Sequence, residues 1–282
     1  TVILATAPVG IERQQRGFNS IEYASGMSEW LEHHGVQIPK ELVLDLQNSG
    51  FPSMRKRMVQ GITIREPYLA PYPFFSDVRN NGLNQKNGIT STLDQVTMTW
   101  SSPLVINDEK NKERKVTPLV HSSKKAWRST EITAVEPDTD LYPEVGFPVS
   151  EKQESQLLAV MVEGRFESFF KGKTSPLLKK DEAKDKEGAE DQDKTEPAKE
   201  ATTVSGVIDK SPEIARLIVF ASNEFIADDT IQLNSMLNGS QYTNSLQIVE
   251  NAVSWSTEDR ALLALRNRGG HFARTLVPLT EN

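Results

Sequence analysis

The sequence predicts an α/β fold: a Rossmann-like, mostly parallel sheet flanked by helices, with a β-rich middle section and a disordered charged insertion. Three observations predict it. Residues 217–221 form a short apolar run bounded by polar residues, which is typical of a strand buried on both faces of a parallel sheet. Two similar runs, at 2–5 and 42–46, lie near the N-terminus. Apolar residues at three- and four-residue spacing over 244–255 predict an amphipathic helix against the sheet.

The N-terminal part predicts a βαβ unit. Between the strands at 2–5 and 42–46, residues 20–34 place Ile21, Ala24, Met27 and Leu31 on one helical face, and Gly35 follows as a stop signal. Crossovers between parallel strands are almost always right-handed. We therefore expect the strands at 2–5, 42–46 and 217–221 to be parallel neighbours in one sheet.

The middle of the chain, residues 90–170, predicts further strands. Residues 95–100 alternate between polar and apolar side chains, residues 157–162 form a buried run, and several prolines between them mark loops. Earlier in the chain, Arg55, Lys56 and Arg57 are three consecutive cations, which favours a solvated loop.

A charge-rich segment at 171–203 interrupts the chain. It alternates lysine with aspartate and glutamate and has few apolar residues, so it cannot bury enough surface to offset the entropy of ordering. A flexible insertion is the prediction, and a marginal helix is the alternative. Residues 1–170 and 204–282 are then one α/β domain, because the strand at 217–221 needs partners in the N-terminal part.

Composition limits the function classes. A net charge of −7 argues against nucleic-acid binding, and the absence of cysteine removes thiolate metal sites and cysteine nucleophiles. No phosphate-binding glycine motif or Walker motif occurs, so no cofactor is expected. A serine hydrolase using His121 or His271 is the enzyme alternative, but the Gly-x-Ser-x-Gly motif is absent. We therefore expect no catalysis.

Several stretches together resemble the extracytoplasmic domain of the auxiliary subunit of uncharacterised ABC transport systems, the family that includes the gliding-motility GldG-like proteins. The resemblance covers nearly the full chain outside the charged insertion. The stretches that carry it are residues 30–38 with 42–45, 72–75, 118–123 with Trp127, 159–168, 215–229, 244–255 and 260–268.

This resemblance implies a non-catalytic auxiliary or substrate-binding module at the extracytoplasmic, periplasmic face of the bacterial cytoplasmic membrane. The chain would be an excised soluble part of a membrane-anchored protein. It would contact the membrane subunits of the transporter, and through the permease, indirectly, the ATPase. Self-association is left open. The alternative is a receptor domain that binds a small molecule or glycan.

Open α/β sheets bind ligands at the carboxyl ends of their strands. In the predicted sheet, the polar residues at these ends form one candidate crevice: Thr6, Asp45, Asn48, Ser222, Asn223 and Glu224. The alternative is that Asp45 and Asn223 only cap turns or helices. Asp228 and Asp229 are weak candidates for a metal site, because acidic residues are also expected where a helix begins.

Overall fold

The computed structural model describes residues 1–14, 17–59, 61–133, 135–172, 208–238 and 243–257. Strands dominate this part of the chain. The strands are β1 (Val2–Ala5), β2 (Val9–Gln14), β3 (Gly17–Glu22), β4 (Val36–Gln37), β5 (Leu42–Asp45), β6 (Asn48–Val59), β7 (Ile62–Arg79), β8 (Gln95–Thr99), β9 (Val105–Ile106), β10 (Lys115–His121), β11 (Ala126–Ser129), β12 (Leu157–Glu163) and β13 (Arg216–Phe220). The α-helices are α1 (Met27–His33), α2 (Asp228–Asn238) and α3 (Asn244–Ser256).

A four-stranded sheet in the order β1-β13-β12-β10 lies at the centre. The pairing of β1 with β13 is parallel, as the sequence predicts, and it begins at Val2 opposite Leu217. The other two pairings are antiparallel. The sheet is therefore mixed, with a single parallel pair among its strands.

Strand β13 is buried on both of its faces, as predicted. Ile218 and Phe220 belong to one core cluster, which also contains Ile248 and Ala252 of α3. Leu217 and Val219 belong to a second cluster on the opposite side, together with Leu31 of α1. Alternate residues of a strand point to opposite faces, so the continuous apolar run serves two separate cores.

The prediction of a Rossmann-like, mostly parallel sheet flanked by helices is wrong. Beside the mixed central sheet lie four smaller ones, with strand orders β11-β5, β2-β3, β4-β9 and β6-β7-β8. Strand β5 was expected beside β1, but it pairs antiparallel with β11, Leu44 lying opposite Trp127. A buried apolar run indicates that a strand is covered on both faces. It does not indicate which strand lies next to it.

The helix predicted at 20–34 is shorter than expected. Strands β2 and β3 form an antiparallel hairpin over much of that region, and Ile21 lies in β3 opposite Gly10. Helix α1 begins only after Gly26, which adopts a φ of 71° that glycine tolerates well. Ile21 and Ala24 fit a helical spacing by sequence, but two residues are too few to distinguish a helix from a strand.

The long hairpin formed by β6 and β7 also corrects an expectation. The basic triplet Arg55, Lys56 and Arg57 lies within β6, not in a loop, and Arg57 is paired with Ile64 of β7. The antiparallel ladder runs without interruption from Gly50 opposite Pro71 to Val59 opposite Ile62. Backbone pairing over this length orders residues whose side chains alone predict a loop.

Other local predictions are confirmed. Residues 95–100 supply β8, and residues 157–162 lie in β12. Helix α3 is present, but its buried side chains centre on Ile248 and Ala252, while Leu246 and Val253 are exposed. The predicted charged insertion at 171–203 lies outside the described residues apart from Lys171 and Gly172, and so do residues 260–268 and His271.

Candidate functional site

A polar pocket of about 400 Å³ lies where the turn after β7 meets the loop after β10. Asn80 at the turn has a φ of 45°, and a side chain on Gly82 would come within 2.7 Å of the His121 carbonyl oxygen. The turn therefore packs closely on the end of β10. The pocket is lined by Gln47, Arg79, Asn80, Asn81, Gly82, His121, Ser122, Ser123, Lys124 and Ser155.

Asp45, a predicted crevice residue, supports this pocket from behind. Its buried carboxylate accepts hydrogen bonds from the Ser123 backbone N–H at 2.7 Å, the Ser123 hydroxyl at 2.5 Å and the Gln47 N–H at 2.8 Å. Both partners line the pocket. Asn48 lies beside it, donating to the Asp45 carbonyl and accepting from the Tyr72 N–H. Asp45 thus fixes the pocket wall.

The other predicted residues lie around the carboxyl ends of β1 and β13. The Thr6 N–H donates to the Phe220 carbonyl. The Asn223 side chain accepts from the Ala7 N–H and donates to the Ala7 carbonyl, both at 3.0 Å. The Ser222 hydroxyl donates to the Thr99 carbonyl at 2.6 Å. The bonds of Thr6 and Asn223 tie the segment after β1 to the end of β13, and the bond of Ser222 ties that end to β8.

Glu224 completes this second group. Its carboxylate accepts from the Ile11 N–H at 3.3 Å, and burial raises the pKa of its carboxyl above the ordinary value, an effect that the Ile11 bond opposes. Since β5 is not in the central sheet, the common sheet edge expected for Asp45 and Asn223 does not form. Ligand contact by any of the six residues stays a prediction.

The metal and hydrolase alternatives rest on other residues. Asp228 and Asp229 occupy the first turn of α2, where carboxylates favour the positive end of the helix dipole. Among the described residues, no group of three or more histidine, aspartate or glutamate side chains could hold a metal ion. Burial lowers the pKa of His121. The Asp45 carboxylate bonds directly to Ser123, so it does not orient this histidine.

Residues 53–69 form the outer half of the β6–β7 hairpin, which we call the arm. Met58 is 75% exposed and Ile62 is 67% exposed, and Ile64 and Leu69 are exposed as well. The arm carries four basic residues and one glutamate, although the chain as a whole has a net charge of −7. Gly61, at a φ of 79°, allows the tight turn at its tip. Single exposed apolar residues are normal. The arm exposes two on each of its faces, Met58 and Leu69 on one and Ile62 and Ile64 on the other, because Met58 is paired with Thr63 and Val59 with Ile62.

The family model described as an ABC-type uncharacterized transport system matches residues 1–252 of the chain. The chain belongs to this family. It is therefore an auxiliary protein of an ABC transport system, and the family resemblance seen in the sequence is confirmed. Searches of curated proteins and of solved structures found no significant match.

Membership in the ABC-type uncharacterized transport system family implies association with transporter components and with a membrane system. None of the helices in the described ranges is long and apolar enough to cross a bilayer.

A second feature of this family member is a cavity of about 320 Å³ beside α1, lined partly by Trp30, His34 and Phe166. His34 follows the last residue of α1, and its ring lies edge-on to Trp30, with centroids 4.3 Å apart. Its carbonyl accepts a hydrogen bond from Arg114 at 2.8 Å. Burial lowers the pKa of His34 to about 4, and the positive charges of His33, Arg114 and Lys110 act in the same direction.

The pKa of His34 predicts a loss of stability in mild acid. The unfolded chain binds a proton near the ordinary value of 6.5, whereas the folded chain binds it only near 4. The free energy of unfolding therefore has its full value above pH 6.5, where His34 is neutral in both states. It decreases by up to about 3 kcal/mol as the pH falls towards 4. Urea unfolding at several pH values measures this loss.

His34→Gln should flatten the pH dependence between 6.5 and 4, while the neighbouring variant His33→Gln should only reduce it, because burial is the largest cause of the His34 shift and the charge of His33 a smaller one. His33 is less buried, and its ring bonds to the Glu167 carbonyl. Equal pH profiles for the two variants would contradict the assignment.

Two features were missed at the level of sequence. The pocket joins residues from four segments of the chain, and no sequence spacing links them. The arm did carry a signal, because the basic triplet is followed by Met58, Val59, Ile62 and Ile64 around Gly61. Apolar residues on both sides of a glycine turn are typical of a hairpin.

Proposed function

We propose that this protein is a non-catalytic extracytoplasmic module of its ABC transport system and works by contacting the membrane subunits through the arm. The exposed apolar and basic surface of the arm is the observation that carries this proposal. Family membership supplies the class of partner, since auxiliary proteins associate with transporter components.

The shape of the arm suits docking. A strand rises about 3.3 Å per residue, so the ladder from Ser53 to Val59 spans about 20 Å. Arg57 and Met58 on one strand, and residues 61–65 on the other side of the turn, are exposed. Truncating exposed apolar side chains costs a free protein little, but it removes buried contacts from a complex. The arm can therefore be tested without unfolding the rest.

Non-catalytic action is supported by the hydrogen bonds of the serine and the aspartate that lie beside His121. The Asp45 carboxylate is occupied by three donors from Ser123 and Gln47. Ser123 in turn donates its hydroxyl to Asp45, not to a histidine. This arrangement stabilises a loop and offers no activated nucleophile.

The Met58→Ser/Ile62→Ser double variant tests the proposal in the full-length protein. We expect detergent-solubilised transporter to co-purify with it at least about tenfold more weakly than with the wild type, because each lost apolar contact contributes roughly 1 kcal/mol or more at an interface. The measurement is the amount of membrane subunit retained at matched protein concentration.

The matched control is Leu141→Ser/Val149→Ser, which removes two exposed apolar side chains outside the arm. It should retain the membrane subunits at the wild-type level. Wild-type retention by the arm variant, or equal losses in the two double variants, would overturn docking through the arm.

A further inference from the structure

The polar pocket beside Asp45 contains hydrogen-bond donors that the protein itself leaves unused. Within the described residues, the Lys124 ammonium, the His121 ring and the Asn81 amide have no hydrogen-bond or ion-pair partner. All three line the pocket. Asn81 and Lys124 are exposed, while His121 is half-buried. Their donors can therefore meet a ligand without first breaking an internal contact.

The charge of the pocket wall favours an anion. Arg79, His121 and Lys124 contribute basic groups, and none of the ten lining residues is acidic. This composition is unusual in a chain with 39 acidic and 32 basic residues. Local charge, not net charge, decides which ions a cleft attracts.

Two carboxylates lie behind the wall, and both are already engaged. Asp77 pairs with Arg79 at 2.7 Å and also accepts a hydrogen bond from Gln95. Asp45 is buried and accepts from Ser123 and Gln47. Arg79 is paired with Asp77, so Lys124 supplies the unpaired positive charge of the wall. Burial lowers the pKa of His121, so its ring contributes a neutral N–H donor. The Asp45 carboxylate is turned towards Ser123 and Gln47, and Asp45 does not line the pocket.

The wall is fixed in place before any ligand arrives. The Ser155 hydroxyl donates to the Ser122 carbonyl at 2.8 Å, and the Gln156 N–H donates to the Ser122 hydroxyl at 2.7 Å. These bonds join the loop after β10 to the chain before β12, while Asp45 holds Ser123 from the other side. A site that is ordered in advance loses less entropy on binding.

We propose that this pocket binds a small molecule that carries a phosphate or carboxylate group. The Lys124 ammonium contacts the oxyanion, the neutral His121 ring donates an N–H to it, Arg79 adds a further charged donor, and the Asn81 amide hydrogen-bonds to the rest of the molecule. A volume of about 400 Å³ accommodates a small organic anion, not a polymer. This site is independent of the arm, so either proposal stands if the other fails.

Isothermal titration calorimetry with three anionic probes tests the site: inorganic phosphate, glucose 6-phosphate and succinate. Neutral glucose is the fourth probe. We expect at least one anion to bind with a Kd of millimolar or tighter, and glucose to show no binding. Preference for glucose 6-phosphate would indicate a sugar phosphate, preference for inorganic phosphate the free ion, and preference for succinate a carboxylate.

Lys124→Ala and Lys125→Ala form a matched pair, because both lysines are exposed neighbours and only Lys124 lines the pocket. Lys124→Ala should raise the Kd about tenfold or more, since hydrogen bonds to charged groups are the strong ones. Lys125→Ala should leave it within about twofold. His121→Gln should weaken binding as well.

Three results would overturn the proposal: no heat with any anion at millimolar concentration, equal binding of glucose and glucose 6-phosphate, or equal effects of the two lysine variants. The arm double variant should bind the anion like the wild type, which separates this test from that of docking.

Discussion

Tyr72→Ala is expected to lower the free energy of unfolding by about 4 kcal/mol, the range found when a buried aromatic side chain is removed. Tyr72 is fully buried at the centre of an aromatic cluster. Its ring lies 4.7 Å from Phe51, 4.8 Å from Phe75 and 5.7 Å from Phe147. A cavity at this point removes contacts on several sides at once. Urea unfolding monitored by far-UV circular dichroism measures the loss.

Tyr72→Phe is the matched control, since it keeps the ring and removes only the hydroxyl. That hydroxyl donates to the Val135 carbonyl at 2.6 Å and accepts from the Trp100 indole N–H at 3.1 Å. Burial raises the pKa of the Tyr72 phenol far above its ordinary value, so the group stays protonated and donates. The expected loss is about 1–2 kcal/mol. Equal losses for alanine and phenylalanine would contradict the importance of ring packing.

Asp45→Ala is expected to lower the free energy of unfolding by about 3 kcal/mol, because it leaves buried donors without a partner. Asp45 is 1% exposed, and its carboxylate holds the backbone of both Ser123 and Gln47. The cost should exceed the roughly 1 kcal/mol typical of an exposed cap residue. Thermal and urea unfolding of the purified variant measure the effect.

Asp45→Asn separates charge from shape at the same position. The amide keeps one acceptor oxygen but places an N–H₂ group against the donors of Ser123, so we expect about half of the alanine effect. Anion binding in the neighbouring pocket should weaken in both variants, since the loop loses its support. Wild-type stability in Asp45→Ala would show that water replaces the carboxylate without cost.

Secondary structure was predictable wherever the local pattern was strong. The run at 217–221 identified a strand buried on both faces, and the alternation at 95–100 identified β8. Helix α3 was predictable from its apolar spacing, although Leu246 and Val253 turned out to be exposed and Ile248 and Ala252 buried. The spacing defines an apolar stripe, but only packing decides which part of it is covered.

Strand pairing was not predictable in the same way. The run at 42–46 fits a buried strand in any sheet, and nothing in its side chains favours β1 over β11 as a neighbour. Backbone hydrogen bonds are alike for all residues, so pairing is set by distant contacts and loop geometry. The candidate site was predictable only in part. The sequence identified Asp45 as a polar residue at a strand end, but not its partner Ser123, which lies 78 residues further along the chain.

The sequence by itself determined the family, the strands and helices with strong apolar patterns, the acidic net charge and the absence of cysteine chemistry. Only the tertiary structure decided the sheet order, the arm and the pocket beside Asp45. The physical reason is the distance along the chain between the residues that interact. Burial leaves a period in neighbouring residues, whereas hydrogen bonds such as those of Asp45 and Asn223 join residues far apart in the chain, and sequence spacing does not record them.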